Sequence, residues 1–274
     1  MTFSRAGLFQ VVTFASDPRR GNPAFVLSDV GNASDSVLAS VCGLLNKEVV
    51  AVVDGPGEDE PRLRFYTPEG LHFGPGHSSL AAAHLVLRYI PEKAGGRTRP
   101  AVKFRLADGG SREASAIDGL TGVDFPVMPA SRVDRGADIE AALGARPKEV
   151  WVAPFGYVGV YEDPGVVAAM RPDLDRVAAF DRTAVIATAP GAGASDIVIR
   201  AFAPNVGLPE DPVCGTAHRI IVPYWAERMG KTEIHSRHLS PRGGDLWCEL
   251  HDDRVTISGE SMLVVEGAIR LPEQ

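Results

Sequence analysis

Cysteine is scarce, and its scarcity excludes a class of protein. Only Cys42, Cys214 and Cys248 occur in 274 residues, at spacings that make neither a C-x-x-C pair nor the framework of a secreted disulfide scaffold. They read as reduced thiols. No apolar run approaches the roughly 20 residues of a membrane-spanning helix, and the opening MTFSRAGLFQVVTFAS goes straight into strand-like sequence without a signal-peptide pattern. A cytoplasmic protein is expected. Basic charge is not in excess: 28 Lys and Arg against 35 Asp and Glu give a net charge of −7 with no long run of either sign. That balance disfavours nucleic acid and membrane surfaces as partners and favours a small soluble one. Low-complexity segments and flexible linkers are also missing.

With 45% hydrophobic residues the chain can bury one large core or two smaller ones, and a repeat favours two. The stretch GLPEDPVCGTAHRIIVPYWAERMG, Gly207 to Gly230, is a turn-rich loop delivering Cys214-Gly215-Thr216 to the start of an apolar helix. Helix starts present unpaired backbone N–H groups and a partial positive charge, which suits an anion. Phe65 to Leu87, FYTPEGLHFGPGHSSLAAAHLVL, repeats the arrangement with Gly76-His77-Ser78-Ser79. Gly76 and Gly215 are 139 residues apart, and Pro68 and Pro204 are 136 apart. A diverged duplication accounts for both spacings, and it predicts two similar halves sharing one site.

The alternation at Leu8–Thr13 and the β-branched run Val49–Val53 predict strands, as do Leu63–Thr67, Val102–Leu106, Val150–Ala153, Tyr157–Tyr161, Val185–Ala189 and Ile197–Ala203. Ser34 or Asp35 is placed to cap a helix carrying Leu38, Val41, Cys42 and Leu45. Further helices are expected at Asp138–Leu143 and near Leu174–Phe180. His77 to Arg88 reads as a helix apolar on nearly all sides and therefore enclosed. Pro91 to Pro100 reads as a loop, Leu120 to Pro129 as the passage between halves, and Ala217 to Arg228 as a helix stopped by Gly230. Short strands near Leu246–Leu250, Arg254–Ser258 and Met262–Glu266 close the chain. The expected class is α+β, with each half a barrel-like sheet wrapped around a central helix, since helices are too few for a doubly wound sheet.

The segments QVVTFASDPRRGNPAFVL, NKEVVAVV, LRFYTPEG with GPGHSSLAAAH, AFAPNVGLPEDPVCGTAHRIIVPYWAERMGK and SPRGGDLWCEL together resemble the phenazine-biosynthesis PhzF-like family. That family belongs to the group containing diaminopimelate epimerase and proline racemase. The resemblance implies two domains of the diaminopimelate epimerase-like fold related by a pseudo-twofold, here 1–122 and 123–263, with a C-terminal strand at about 264–274 returning to the first. It also implies an active site in the cleft between them, a homodimer, and an isomerase that shifts a hydrogen without cofactor or metal, in secondary-metabolite (antibiotic) biosynthesis. The family's catalytic glutamate matches Glu48, its Gly-His pair Gly76-His77, its aspartate Asp211, and its small-residue helix start Gly215-Thr216. Many members carry Asp-Leu-Cys-Gly-His-Ala-Thr where this chain has Phe73-Gly74-Pro75-Gly76-His77-Ser78-Ser79, so the pocket wall differs, and a hydrogen shift on another small acid stands beside one on the phenazine precursor.

Each candidate has a chemical and an ordinary reading. A buried Glu48 has its pKa lifted from about 4.3, so that it takes a proton from one carbon and returns it to another; the ordinary reading is a strand-edge glutamate in solvent. His77 either serves the substrate or bonds its own loop, and Asp211 either holds a substrate amine or hydroxyl or opens an Asp-Pro turn. Gly76, Ser78, Cys214, Gly215 and Thr216 are the expected substrate-binding residues. A thiol at a helix start has a lowered pKa, and an amino-acid epimerase or racemase using Cys214 or Glu48 stays open as the second reading. The partner position of Cys214 is Pro75, however, and a proline exchanges no proton, so a pocket-wall role for Cys214 is favoured. A member that binds a metabolite without turning it over is the third reading. Glu233, His235 and His238 fit no common metal-site spacing and are expected to be surface polarity. Arg242 sits in a tight turn with an anion as its natural ligand.

Overall fold

A computed structural model of the chain describes residues 2–47, 49–72, 74 and 76–273. They divide into two compact units, 1–124 with 258–274, and 125–257.

In the first unit β1 (Phe3–Thr13) pairs antiparallel with both β2 (Asn22–Ser28) and β17 (Ser261–Pro272). From β2 the sheet continues parallel to β3 (Val50–Asp54) and antiparallel to β4 (Arg62–Thr67). Strand β4 carries the short β5 (Gly70–His72) and runs parallel to β6 (Ala101–Leu106), after which β7 (Ser111–Ile117) and β8 (Leu120–Pro126) follow antiparallel. Parallel neighbours need a crossover. Helix α1 (Asp35–Leu44) supplies the first, its start capped by Ser34 Oγ, which accepts from Val37 N–H at 3.3 Å. Helix α2 (Gly76–His84) lies in the second.

The second unit repeats this order of pairing. After β9 (Ser131–Arg132), β10 (Glu149–Val152) is antiparallel to β11 (Gly156–Val160), which is parallel to β12 (Ala184–Pro190). Strand β13 (Ile197–Phe202) is antiparallel to β12 and parallel to β14 (Glu233–His238), which is antiparallel to β15 (Gly244–His251); β16 (Arg254–Gly259) follows. The buried helix, α7 (Gly215–Met229), again occupies the second parallel crossover. The alternation of senses matches strand for strand, as a duplication requires.

Continuous apolar strands are explained by cover on both faces. Val50 and Val52 of β3 pack with Leu38, Val41 and Cys42 of α1 on one side, while α2, whose Leu80 to Ala83 are fully buried, packs against β1, β2, β3, β7 and β17. Such a helix has no solvent face, so the sheet curls around it. In the second unit Ile139 and Leu143 of helix α4 (Gly136–Leu143), Val167 of α5 (Pro164–Ala169) and Val177 of α6 (Leu174–Ala178) cover Tyr157, Val185, Ala187 and Val198. From the other side Trp225 of α7 donates its indole N–H to Thr188 Oγ1 at 3.0 Å.

Several sequence expectations are corrected. The first buried helix does not end at Arg88: a π turn, Leu85–Tyr89, and helix α3 (Ile90–Lys93) carry it through Pro91. A proline supplies no N–H to the preceding turn, yet Leu87 C=O accepts instead from Arg99 N–H at 2.7 Å. Pro223 inside α7 leaves Arg219 C=O in the same position, and Met128 N–H fills it at 2.9 Å. Leu120 to Pro126, expected as a passage, is strand β8, paired with β7. The strand expected from Met262 to Glu266 runs the length of Ser261–Pro272, and β7, β14 and α5 were not anticipated.

Candidate active site

In the second unit the chain leaves β13 through a 3-10 turn, Pro204–Val206, and Gly207 at φ +79°, then returns as the loop before α7. Asp211 N–H donates to Ala201 C=O at 2.9 Å. Arg200 grips Glu210 through two hydrogen bonds of 2.7 and 2.8 Å and also donates to Met170 C=O at 2.8 Å, with both charged side chains largely buried. Removing one partner of such a pair strands the other charge, so the loop is firmly seated. Ser240, in the SPRGG stretch, donates to Pro212 C=O at 2.6 Å and accepts from Gly243 N–H at 3.1 Å.

This loop gathers Asp211, Cys214, Gly215 and Thr216 at one helix start. Asp211 Oδ1 accepts from Val213 N–H at 3.1 Å, as the ordinary turn reading required, and its side chain remains half-buried. Cys214 is the N-cap in extended conformation, with no capping hydrogen bond from its side chain. An N-terminus without such a cap keeps its affinity for an anion. The Cys214 thiol behaves opposite to expectation: burial and then the Asp211 carboxylate push its pKa well above the usual thiol value, outweighing the Thr216 and Ala217 amides that favour the thiolate. Cys214 is a protonated thiol at neutral pH.

Beneath Cys214 lie two buried imidazoles, His218 and His238, with ring centroids 5.7 Å apart. His238 Nε2 accepts Cys214 N–H at 3.1 Å, so the ring proton is on Nδ1, which is buried without a hydrogen-bond partner. His218 Nδ1 donates to Cys214 C=O at 2.9 Å, leaving Nε2 to accept from Ser236 Oγ at 2.8 Å. Burial lowers the His218 pKa to about 4 and takes that of His238 well below the normal range, so both rings are neutral. Sequence reasoning missed this pair and assigned His238 to the surface. The legible signal was the alternation in Glu233–His238, where Ile234, Ser236 and His238 point inward. His235 points outward and stacks on Trp247 at 5.0 Å. Among the described residues no group of three or more His, Cys, Asp or Glu side chains is arranged to hold a metal.

In the first unit Gly76, His77 and Ser78 come together at the start of α2. Gly74, at φ +83°, is pressed against the Phe65 ring where a Cβ would lie 2.2 Å from it, and its N–H donates to His72 Nδ1 at 3.1 Å. His77 is half-buried; desolvation, then the Lys47 charge, lowers its pKa to about 4. It is therefore a neutral donor or acceptor rather than a cation. Ser78 Oγ is fully buried with no hydrogen-bond partner. Ser79 accepts from Arg112 Nη1 at 2.8 Å. Glu48, the expected base, lies outside the described residues, as do Phe73 and Pro75. A cavity of about 180 Å³ in the second unit, lined by Trp151, Ile220 and Tyr224 among others, includes none of the candidate residues.

Comparison with known proteins places these features in a family context. Residues 11–267 match the family profile described as phenazine biosynthesis-like protein. An uncharacterized isomerase of Pseudomonas aeruginosa is 36% identical over 262 residues, covering 96% of this chain and 97% of that protein. The crystal structure of a phenazine biosynthesis protein of the PhzF family from Enterococcus faecalis superposes with a TM-score of 0.88 at 30% identity, over 97% of this chain and 99% of that one. A hydroxyproline epimerase from Agrobacterium vitis shares the fold, with a TM-score of 0.56 at 12% identity over 98% of this chain and 92% of that one.

Proposed function

Because this chain belongs to the phenazine biosynthesis-like family, we propose that it is an isomerase that moves a hydrogen, and with it a double bond, within a small carboxylate-bearing substrate. The observation that carries the reading is the start of α7. An uncapped helix N-terminus, Gly215 and Thr216, stands beside the carboxylate of Asp211 on a loop seated by a buried ion pair. Backbone amides and dipole suit the substrate carboxylate, and Asp211 suits an amine or hydroxyl next to it. The start of α2 offers groups of the same kind, Gly76, Ser78 and the neutral imidazole of His77.

Glu48 is assigned the chemistry. Its carboxylate removes a proton from a carbon activated by conjugation with the anchored acid; the C–H pair enters the conjugated system, the double bond shifts, and the glutamic acid returns the proton to a second carbon. The balance closes within the substrate, so no cofactor or metal is invoked. The isomerase names of the relatives support this class, and the departure of residues 73–79 from the sequence many members carry argues for an acid other than the phenazine precursor. A cytoplasmic homodimer in secondary-metabolite biosynthesis is the proposed setting.

The test is turnover of candidate dienoic and cyclic amino acids in heavy water, read by mass spectrometry and NMR. Glu48→Gln is expected to fold and bind while losing deuterium incorporation by at least ~100-fold, the scale of general acid–base catalysis. Full activity in that variant would remove the assignment. An amino-acid epimerase using Cys214 would instead change optical rotation with deuterium at the α-carbon; the raised pKa of that thiol counts against it. Tight binding with no exchange under any condition would mark a non-catalytic binder.

A further inference from the structure

We infer that His238, with His218, is a positioning residue that fixes the Cys214 peptide so that the substrate anion meets the Gly215 and Thr216 amides rather than the Cys214 amide. The inference rests on the reading of the α7 start as the carboxylate subsite. Cys214 sits where loop becomes helix, and both of its backbone polar groups are taken by neutral imidazoles. His238 Nε2 receives the N–H at 3.1 Å, and His218 Nδ1 supplies a donor to the C=O at 2.9 Å. Ser236 Oγ, 2.8 Å from His218 Nε2, fixes that ring's tautomer. Ser236 and His238 leave the same face of β14, two residues apart, so one strand sets both rings.

Occupying the Cys214 N–H has a consequence for binding. That amide, at the N-cap, belongs to the unpaired donors of the helix start and would otherwise compete for the anion. With it bonded inward, the anion is left the amides of the helix's own first turn, Gly215 and Thr216, the latter also facing the Cys214 thiol. Neutrality matters equally, because an acceptor nitrogen exists at His238 only while the ring is uncharged. A core-filling role would require only bulk at this site. A positioning role requires an acceptor at the Nε2 position.

The experiment contrasts His238→Leu, which keeps bulk without an acceptor, with His238→Gln, whose amide oxygen can receive the same N–H. Folded His238→Leu is expected to raise the apparent Kd for benzoate at the Gly215 and Thr216 amides, followed by 15N NMR, about tenfold, the effect of one lost buried hydrogen bond. Hydrogen exchange at the Cys214 amide should accelerate, and His238→Gln should restore both within about threefold. Unchanged benzoate affinity and a protected Cys214 amide in His238→Leu would overturn the inference. Should that variant fail to fold, Ser236→Ala takes its place: a His218 ring 15N shift and a benzoate Kd about threefold weaker are expected, and no change in either overturns it. These readouts need no turnover. If benzoate shifts Gly215 and Thr216 while Glu48→Gln keeps full exchange activity, the assignment of Glu48 as the base fails and this inference stands; absence of any benzoate shift at those amides in the unaltered protein removes the carboxylate subsite and this inference with it.

Discussion

The two buried helices both begin with glycine, Gly76 and Gly215, and differ in what holds them. Matching Gly76 to Gly215 sets His77 against Thr216, Ser78 against Ala217 and Ser79 against His218. Ser79 is bonded by the Arg112 guanidinium, a cation from β7, whereas His218 is bonded by the neutral Ser236 from β14. One start is thus supported by charge and carries a titratable His77; the other rests on uncharged rings and carries Asp211 nearby. Pairing order and helix position survive duplication because they are set by the pattern of apolar residues, while the polar neighbours of the helix starts diverge, since a single substitution changes them without moving the core. One fold copied twice has produced two unlike sets of polar groups.

The units can be set against each other through their buried ion pairs. Arg200→Met, which strands Glu210, is expected to lower stability by about 3–5 kcal/mol in denaturant unfolding. Arg64→Met in the first unit should cost less, about 1–3 kcal/mol, because its partner Asp54 is 30% exposed and water compensates. Equal losses would erase the contrast.

Acid sharpens the comparison next. His218 has a folded pKa of about 4 against 6.5 for the free side chain. The unfolded chain therefore binds more protons between those values, and stability is full above pH 6.5 and declines as pH falls toward 4. A single group of this kind contributes about 3 kcal/mol over that window. His218→Gln should flatten the pH dependence of thermal unfolding by that order, and His77→Gln should flatten it in the same direction; a steeper profile in either would reverse the sign argued here.

The smallest effect concerns charge against neutrality. Arg112→Leu removes the donor to Ser79 and is expected to cost about 1–2 kcal/mol while leaving hydrogen exchange at the Cys214 amide unchanged. Exchange that rises at Cys214 in this variant would mean the two helix starts are not supported independently.

Much of the fold was legible. All-round apolarity from Leu80 to Leu87 required an enclosing sheet, Ser34 announced a helix start, and Gly230, at φ +67°, announced a helix end. These are local signals, determined by side-chain burial and backbone conformation over a few residues. The spacing of Gly76 and Gly215 likewise announced both helix starts.

What tertiary structure alone decided is who receives each orphaned polar group. Pro91 read as the end of a helix because its missing N–H is a local fact, while the Arg99 amide that completes Leu87 C=O comes from a turn the chain makes afterwards. His238 read as surface polarity because Glu233 to His238 is polar in composition; its burial follows from pairing with β13 and β15, which turns every second residue inward beneath Cys214. Apolar pattern is written along the chain and so determines the elements. Hydrogen-bond partners are chosen across it, after the sheet has curled, and the burial that comes with that curling keeps the Cys214 thiol protonated and the His77, His218 and His238 rings neutral.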